Sequence, residues 1–369
     1  MKGKNMVLKA IDLFSGSGGT TAGLKRAGIS VVGAVEIDPV ASETYKYNNP
    51  EVNLIIGDIK NVTGNALKEK AKLDKEDQLL LVACPPCQGF SSIRNGGEDD
   101  IRNELVFEFL RLIQELQPDY VLMENVSGMS RGKGKVIFKE FYQQLQIDYD
   151  LVYDILNSAD YGIPQIRKRL VLHGIRKDHG KVLNNIGLKL QLPESTFSKN
   201  GDEKRKKWRT AKVIMDLPPI KAGEEYIDPK NKIFNHVSND LSDLNKKRIR
   251  FIRKHGGDRA SLPKKLTQNW HRNLKLHKDV YGILDISKPA ITMTGGCMTF
   301  SKGRFGHPTE DRALSAREAA RLQSFDDSYK FFGNRGQLAR QIGNAVPVNL
   351  AKASGSYFIG INQLLLGAK

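Results

Sequence analysis

Ala10-Ile11-Asp12-Leu13-Phe14-Ser15-Gly16-Ser17-Gly18-Gly19 runs from a short apolar stretch straight into a glycine-rich turn. Glycine lets the main chain approach a ligand and adopt conformations closed to other residues. The stretch therefore predicts a buried strand, a ligand-binding turn and a helix opening behind it. Glu36 follows twenty residues after Gly16, a spacing that suits a carboxylate gripping ribose hydroxyls. A dinucleotide fingerprint G-x-G-x-x-G would need glycine at position 21, where the chain carries Thr21. The motif thus points to an adenosine-containing cofactor without saying which.

Outward from this turn, further apolar runs appear at Val31 to Val35, Leu54 to Ile56, Leu79 to Ala83 and Tyr120 to Met123. Segments with helical periodicity lie between them, such as Leu105, Phe109, Leu112, Ile113 and Leu116. Continuous apolar strands alternating with helices imply an α/β fold with a mostly parallel, Rossmann-like sheet covered on both faces. Leu151 to Leu156 and Leu170 to Ile175 are two more candidate strands. Each of the first five runs ends in chemically pointed residues: the glycine turn, Glu36, Asp58, Pro85-Pro86-Cys87 and Glu124-Asn125. Ligands bind at the carboxyl ends of strands in such sheets, so these five ends are expected to form one site.

From about Lys177 to Lys288 the alternation gives way to charge-rich, loop-like sequence, which predicts a second, smaller domain. Periodicity returns near Ala313 to Phe325, and an apolar helix is expected from about Val348. The boundaries follow: residues 1–178 with 334–369 as one domain, and 179–333 as the other.

Lys and Arg outnumber Asp and Glu by 58 to 41, a net charge of +17. Such an excess favours a polyanionic partner, because neutralising phosphates releases counterions. Between Leu241 and Val280 twelve Lys and Arg stand against three Asp. The three cysteines, Cys84, Cys87 and Cys297, are too few for a disulfide framework. Cys84 and Cys87 form a C-x-x-C, the pattern of a redox pair or of half a zinc site. No second pair completes a zinc site and no metal is expected, while the redox reading stays open although the surrounding residues point elsewhere. No run approaches the roughly 20 apolar residues of a membrane span, and Met1 to Lys9 has no signal-peptide core, so a soluble, cytoplasmic protein is expected.

Pro85-Pro86-Cys87-Gln88-Gly89-Phe90-Ser91 stiffens a strand exit and leads a cysteine into a loop, a better place for a nucleophile than for packing. Arg94, Arg102, Arg167 and Arg169 are candidates to stabilise its thiolate. Glu124 at the adjoining strand end reads as an acid, and Asp58 as either an adenine contact or a helix cap. In Gln165-Ile166-Arg167-Lys168-Arg169 the alternation places Gln165, Arg167 and Arg169 on one face of an extended segment.

In this order, the pieces resemble the carbon-5 cytosine-specific DNA methyltransferase family of bacterial and phage restriction-modification type. Arg317-Glu318, Ala320-Arg321-Leu322-Gln323-Ser324-Phe325 and Gln341-Ile342-Gly343-Asn344-Ala345-Val346-Pro347 extend the match. The resemblance covers about Leu8 to Gly174 and Pro289 to Leu350. Val348 and Asp326 stand where the family usually has proline.

The resemblance implies an S-adenosylmethionine-dependent methyltransferase fold with a smaller target-recognition domain that binds duplex DNA. It implies a catalytic group of Cys87, Glu124, Arg167 and Arg169, with Cys87 attacking a flipped-out cytosine, Glu124 at ring nitrogen 3, Arg167 at the base carbonyl and Arg169 in support. The cofactor would meet Phe14, Gly16, Ser17, Gly18, Gly19, Glu36, Ile37, Asp58, Ile59, Pro85, Asn344 and Val346. DNA would meet Gln88, Ser91, Arg94 and Gln165, and the loop after Cys87 with Gly96-Gly97 would close as a lid. A monomer without an obligate protein partner, acting in the bacterial cytoplasm or nucleoid, completes the expectation. The alternatives are the same chemistry on RNA, a non-catalytic DNA-binding paralogue, and methylation of an exocyclic amino group. The last would need a polar-Pro-Pro-aromatic loop where Cys84-Pro85-Pro86-Cys87 stands.

Overall fold

The computed structural model describes residues 8–86, 104–131, 134–267 and 280–367. Cys87, Gln88, Ser91, Arg94, Gly96, Gly97 and Arg102 lie outside them. Two compact units emerge: residues 1–157, 168–195 and 348–369 in the first, and 158–167 with 196–347 in the second. These edges differ from the sequence boundaries. Residues 179–195 belong to the first unit and 334–347 to the second.

In the first unit the apolar runs become β1 (Leu8–Leu13), β2 (Ser30–Glu36), β3 (Asn53–Ile56), β4 (Gln78–Ala83), β5 (Tyr120–Val126), β6 (Tyr149–Asn157) and β7 (Lys168–Arg176). They form one sheet in the order β3-β2-β1-β4-β5-β7-β6. The first five are parallel, while β7 runs antiparallel between β5 and β6. This is the expected α/β, mostly parallel architecture. The strand order reverses between β1 and β4, and loops leaving two such strands diverge to open a crevice. Leu13 pairs with Ala83 at the strand ends, so the glycine turn and Cys84-Pro85-Pro86 flank that crevice.

The helices α1 (Gly19–Ala27), α2 (Pro39–Asn48), α3 (Gly64–Lys70), α4 (Leu105–Leu116), α5 (Gly128–Arg131), α6 (Lys135–Leu145) and α7 (Lys177–Asn185) fill the connections. α4 shows why. Val106, Phe109, Leu110, Leu112, Ile113 and Leu116 recur at helical spacing and are buried. Arg111 meanwhile pairs with Glu108 and Glu115 at 2.8 and 2.7 Å on the outer side. Gln117 ends the helix in a left-handed conformation (φ 48°), and Pro118 prevents its continuation.

The second unit holds two-stranded sheets, β8 (Phe197–Ser198) with β9 (Lys206–Lys207) and β10 (Glu225–Asp228) with β11 (Ile233–Val237), together with helix α8 (Asp243–His255). Leu241, Ile249, Ile252, Tyr281, Ile283, Phe300 and Ala313 make a separate core. Helices α9 (Ala316–Leu322) and α10 (Arg335–Asn344) each begin with a reciprocal capping box, Ser315/Glu318 and Asn334/Gln337. The apolar closing helix α11 (Val348–Gly367) starts at the expected residue and returns to the first unit. There it lies against α1 so closely that a Cβ on Gly23 would sit 2.4 Å from the Val348 carbonyl oxygen. No helix among the described residues is long and apolar enough to cross a membrane.

Candidate active site

The glycine turn is built as the sequence implies. Phe14 (φ 55°), Gly16 (φ 53°) and Gly18 (φ 88°) are all left-handed, a conformation that a bulky residue such as Phe14 adopts only when its surroundings impose it. Ser17 and Gly19 are buried where the turn enters α1. A Cβ at Gly16 would meet nothing within 4 Å, so this main chain faces open space.

Glu36 ends β2, nearly buried, and its carboxylate is fixed at both oxygens. Oε2 accepts from Gly16 N at 2.7 Å and Oε1 from Asp38 N at 2.8 Å. Each carboxylate oxygen has two acceptor positions, so both can still receive ligand hydroxyls. Burial raises the Glu36 pKa against the lowering effect of these N–H donors. Next to it the apolar Ile37 side chain is 62% exposed. Asp58 caps the single helical turn Ile59–Asn61 by accepting from Lys60 N at 3.0 Å through Oδ1, which leaves Oδ2 without a hydrogen bond among the described residues. Ile59, expected at the cofactor, turns its side chain into the main core instead. A polar carboxylate clamp, an exposed apolar side chain and an unobstructed glycine turn at the carboxyl ends of neighbouring strands fit an adenosine-bearing methyl donor.

Across the crevice, burial and the carboxylates of Glu124 and Asp12 push the Cys84 thiol well above its ordinary range. Its Sγ lies 3.7 Å from Thr20 Oγ1. Its surroundings therefore favour the protonated thiol at Cys84, while Cys87 lies outside the described residues. Among the described residues no cluster of three His, Cys, Asp or Glu could hold a metal.

Glu124 and Asn125 lie within β5, not beyond its end, because the antiparallel β7 covers them, pairing Glu124 with Val171 and Asn125 with Leu170. Arg169 stands opposite Val126, and its Nε comes to 3.1 Å from Glu124 Oε1, both side chains nearly buried. Asn125, to which sequence reasoning gave no role, donates from Nδ2 to the Pro85 carbonyl at 3.0 Å. It thereby ties the acid-bearing strand to the backbone that leads into Cys87. Its place beside Glu124 in the motif was the available signal. A second omission is Asp12, fully buried beneath the turn, accepting from Thr21 Oγ1 at 2.7 Å, with that hydroxyl 2.8 Å from Tyr45 Oη. A lone acid inside an apolar strand marked it.

The second unit corrects two roles. Arg167, expected at the base carbonyl, is 3% exposed, and its guanidinium donates to the carbonyls of Met293 (2.6 Å), Gly343 (3.0 Å) and Ala345 (3.3 Å). Gln165, expected on DNA, is fully buried. Its amide donates to Leu322 O and Gln323 Oε1 and accepts from Met293 N, at 2.8–3.0 Å. Buried polar groups must find such partners, and both side chains are committed to joining the segments at 293, 322 and 343. The alternation over 165–169 is present, with Ile166 and Lys168 exposed. Asn344 is exposed at the end of α10 and Val346 buried, both in this unit; Pro85 is buried in the first.

The sheet order, the crevice at its reversal and the glycine turn with Glu36 define an S-adenosylmethionine-dependent methyltransferase fold. The chain belongs to the C-5 cytosine-specific DNA methylase family, whose model matches residues 8–358. It is 35% identical to the type II methylase M.HgiDII of Herpetosiphon aurantiacus, over 94% of both chains. With the type II methyltransferase M.XorII of Xanthomonas oryzae it shares 33% identity over 94% of this chain and 83% of the relative. Among solved structures, a candidate DNA modification methyltransferase encoded within an E. coli prophage superposes with a TM-score of 0.73 at 25% identity, covering 96% of this chain and 99% of that one.

Proposed function

We propose that this DNA cytosine-5 methyltransferase moves a methyl group from S-adenosylmethionine to carbon 5 of cytosine within a specific double-stranded sequence, through a transient Cys87–cytosine bond. The observation that carries the reading is the Glu124–Arg169 pair at 3.1 Å, beside the strand exit that Asn125 ties down ahead of Cys87. Its type II relatives favour a role as the protective half of a restriction-modification pair.

S-adenosylmethionine supplies, when bound, an electrophilic methyl group on a sulfonium. Glu36, Ile37, Asp58 and the turn from Phe14 to Gly19 would hold it in the first unit, with Pro85 at the opposite wall. Asn344 and Val346, also expected at the cofactor, lie in the second unit. Carbon 5 of cytosine is a weak nucleophile. Addition of the Cys87 thiolate to carbon 6 forms an S–C bond and pushes ring electrons toward nitrogen 3, where Glu124 shares a proton and absorbs the charge. Carbon 5 then has enamine character and takes up the methyl group. Loss of the carbon-5 proton to a base restores the double bond and expels the thiolate. The target must leave the helix stack for this approach, hence base flipping. Arg169, not Arg167, is the arginine suited to steady the base carbonyl, because Arg167 already serves three main-chain carbonyls.

Expression in a methylation-free host, with base-resolution mapping of methylcytosine, tests the reaction and reports the sequence read. A duplex carrying 5-fluorocytosine at that site should become permanently joined to the protein, and Cys87→Ser should abolish both outcomes. Methylation of tRNA without methylation of plasmid DNA, or an active Cys87→Ser protein, overturns the reading.

A further inference from the structure

We infer that residues 196–209 form a rigid basic finger that grips the phosphates of duplex DNA away from the bases being read. The finger is a built object. Asp202 Oδ1 accepts the main-chain N–H groups of Lys204 (3.1 Å) and Arg205 (2.7 Å), and Oδ2 accepts Arg205 Nε (2.8 Å). Asp202 N donates to Arg205 O at 2.8 Å, and Lys206 N and Trp208 N donate to Thr196 O and Ser198 O at 3.0 and 2.9 Å.

Its base is anchored twice. The Phe197 ring lies so close to Gly162 that a Cβ there would sit 2.6 Å from Phe197 Cε2, and Trp208 Nε1 donates to Asp160 Oδ1 at 2.8 Å.

What this scaffold displays is charge. Asp202 is spent on closing the turn and neutralising Arg205. Lys199, Lys204, Lys206, Lys207 and Arg209 are all exposed and form no salt bridge among the described residues. Glu203 is the only other acid between 196 and 209. Lys206 and Lys207 are successive residues of an extended strand, so their side chains leave on opposite faces. A solubilising surface would interleave acids or let a loose loop spread its charges apart. Here five exposed cations are set on one short hydrogen-bonded turn, with Glu203 as the one acid beside them not engaged in closing it, an excess of charge that suits a polyanion. Lysines are flexible point charges that suit phosphates better than base edges. The finger is therefore a source of affinity and not of sequence choice.

The inference rests on the proposed action on duplex DNA. The test compares the full-length protein with a Lys204→Gln/Lys206→Gln/Lys207→Gln variant, and with a Lys46→Gln/Lys70→Gln/Lys75→Gln control that removes equal charge from the first unit. Binding of a fluorescent duplex lacking the mapped target site is measured from about 50 to 200 mM salt, with plasmid methylation alongside. Each lost phosphate contact lowers the slope of log K against log salt by about 0.9. The finger variant should thus lose about two to three from its slope and at least roughly tenfold in affinity near 100 mM, with kcat at saturating DNA unchanged. The control should keep its slope.

An unchanged slope in the finger variant, or an equal fall in the control, overturns the inference. So does a loss confined to binding of tRNA, which would make the finger an RNA contact. If the unaltered protein binds duplex but methylates no plasmid, the proposed function fails, while the slopes still decide the finger.

Discussion

Arg169 Nε lies 3.1 Å from Glu124 Oε1, joining two antiparallel strands diagonally. Register explains the contact. Arg169 is paired with Val126, and Glu124 is two residues back on the same face of β5, within reach of a long side chain. Burial lowers the Arg169 pKa, and the Glu124 carboxylate acts in the opposite direction. Glu124→Gln keeps the shape but removes the charge and the proton-sharing group. Its kcat should fall by about 10²–10⁴, the usual contribution of an acid–base group, with little change in KM for the methyl donor. Steady-state kinetics against both substrates checks this, and a variant within threefold of the parent kcat would remove Glu124 from the chemistry.

Glu36 offers a separable test, because its two oxygens both receive main-chain N–H groups. Glu36→Gln must turn an amide NH2 toward one of those donors, breaking a charge-assisted bond worth roughly 1.5–3 kcal/mol. S-adenosylmethionine should bind about ten- to hundredfold more weakly by calorimetry, while 5-fluorocytosine duplex trapping at saturating donor stays near normal.

Asn125→Ala should act on the other side of the crevice. It removes the bond to the Pro85 carbonyl while leaving the Glu124–Arg169 pair in place. The rate of adduct formation with 5-fluorocytosine duplex is expected to drop roughly tenfold or more, from the lost positioning of the chain entering Cys87. Cofactor affinity should hold. An adduct rate equal to the parent's would assign Asn125 to packing alone.

The strands and their polar ends were legible because a buried parallel sheet writes itself as continuous apolar runs, and Gly16, Glu36 and Asp58 each interrupt one at its end. What alternation could not tell was depth. Gln165 and Arg167 share one face of their segment, as the pattern implied, but a pattern of period two is the same for a face that meets solvent and one that meets protein. Only their partners at Met293, Leu322 and Gly343, more than a hundred residues away, reveal that they serve the fold. Ile59 was misread for a related reason. It follows Asp58 in the motif, yet the one-turn helix that Asp58 caps swings its side chain into the core. The tie from Asn125 to Pro85 depends on a strand neighbour that the sequence order does not announce, and the tie from Asp12 to Thr21 on how α1 folds back over the end of β1.

Asp12 gives a pH-dependent expectation. Burial raises its pKa from 3.8 to about 7, against the hydrogen bonds from Thr21 and with a smaller push from Glu36. A group with a raised pKa binds its proton more tightly in the folded state, so its contribution is fully present below about pH 4 and is lost as pH rises through about 7. Asp12→Asn keeps an acceptor for Thr21 and cannot ionise. The variant should gain on the parent progressively between pH 4 and 8, by roughly 1–3 kcal/mol at the upper end, in urea unfolding at fixed ionic strength. A difference that does not vary with pH would show that Asp12 is ionised throughout.

Gly23 fixes how closely α11 lies on α1. A Cβ there would fall 2.4 Å from Val348 O, 2.5 Å from Ala351 Cβ and 2.8 Å from Lys352 N, two of them main-chain atoms that no rotamer change can move. Gly23→Ala carries the helix-propensity gain of alanine, about 1 kcal/mol, so an open site would be stabilised. Overpacking costs typically 1–3 kcal/mol and more where backbone must shift. The clash should therefore win, with a net loss of about 1 kcal/mol or more and a lower Tm by calorimetry. Gly360, on α11 with nothing within 4 Å of an added Cβ, is the matched control, and Gly360→Ala should raise Tm. If both alanines stabilise, the close approach of the two helices does not exist in solution.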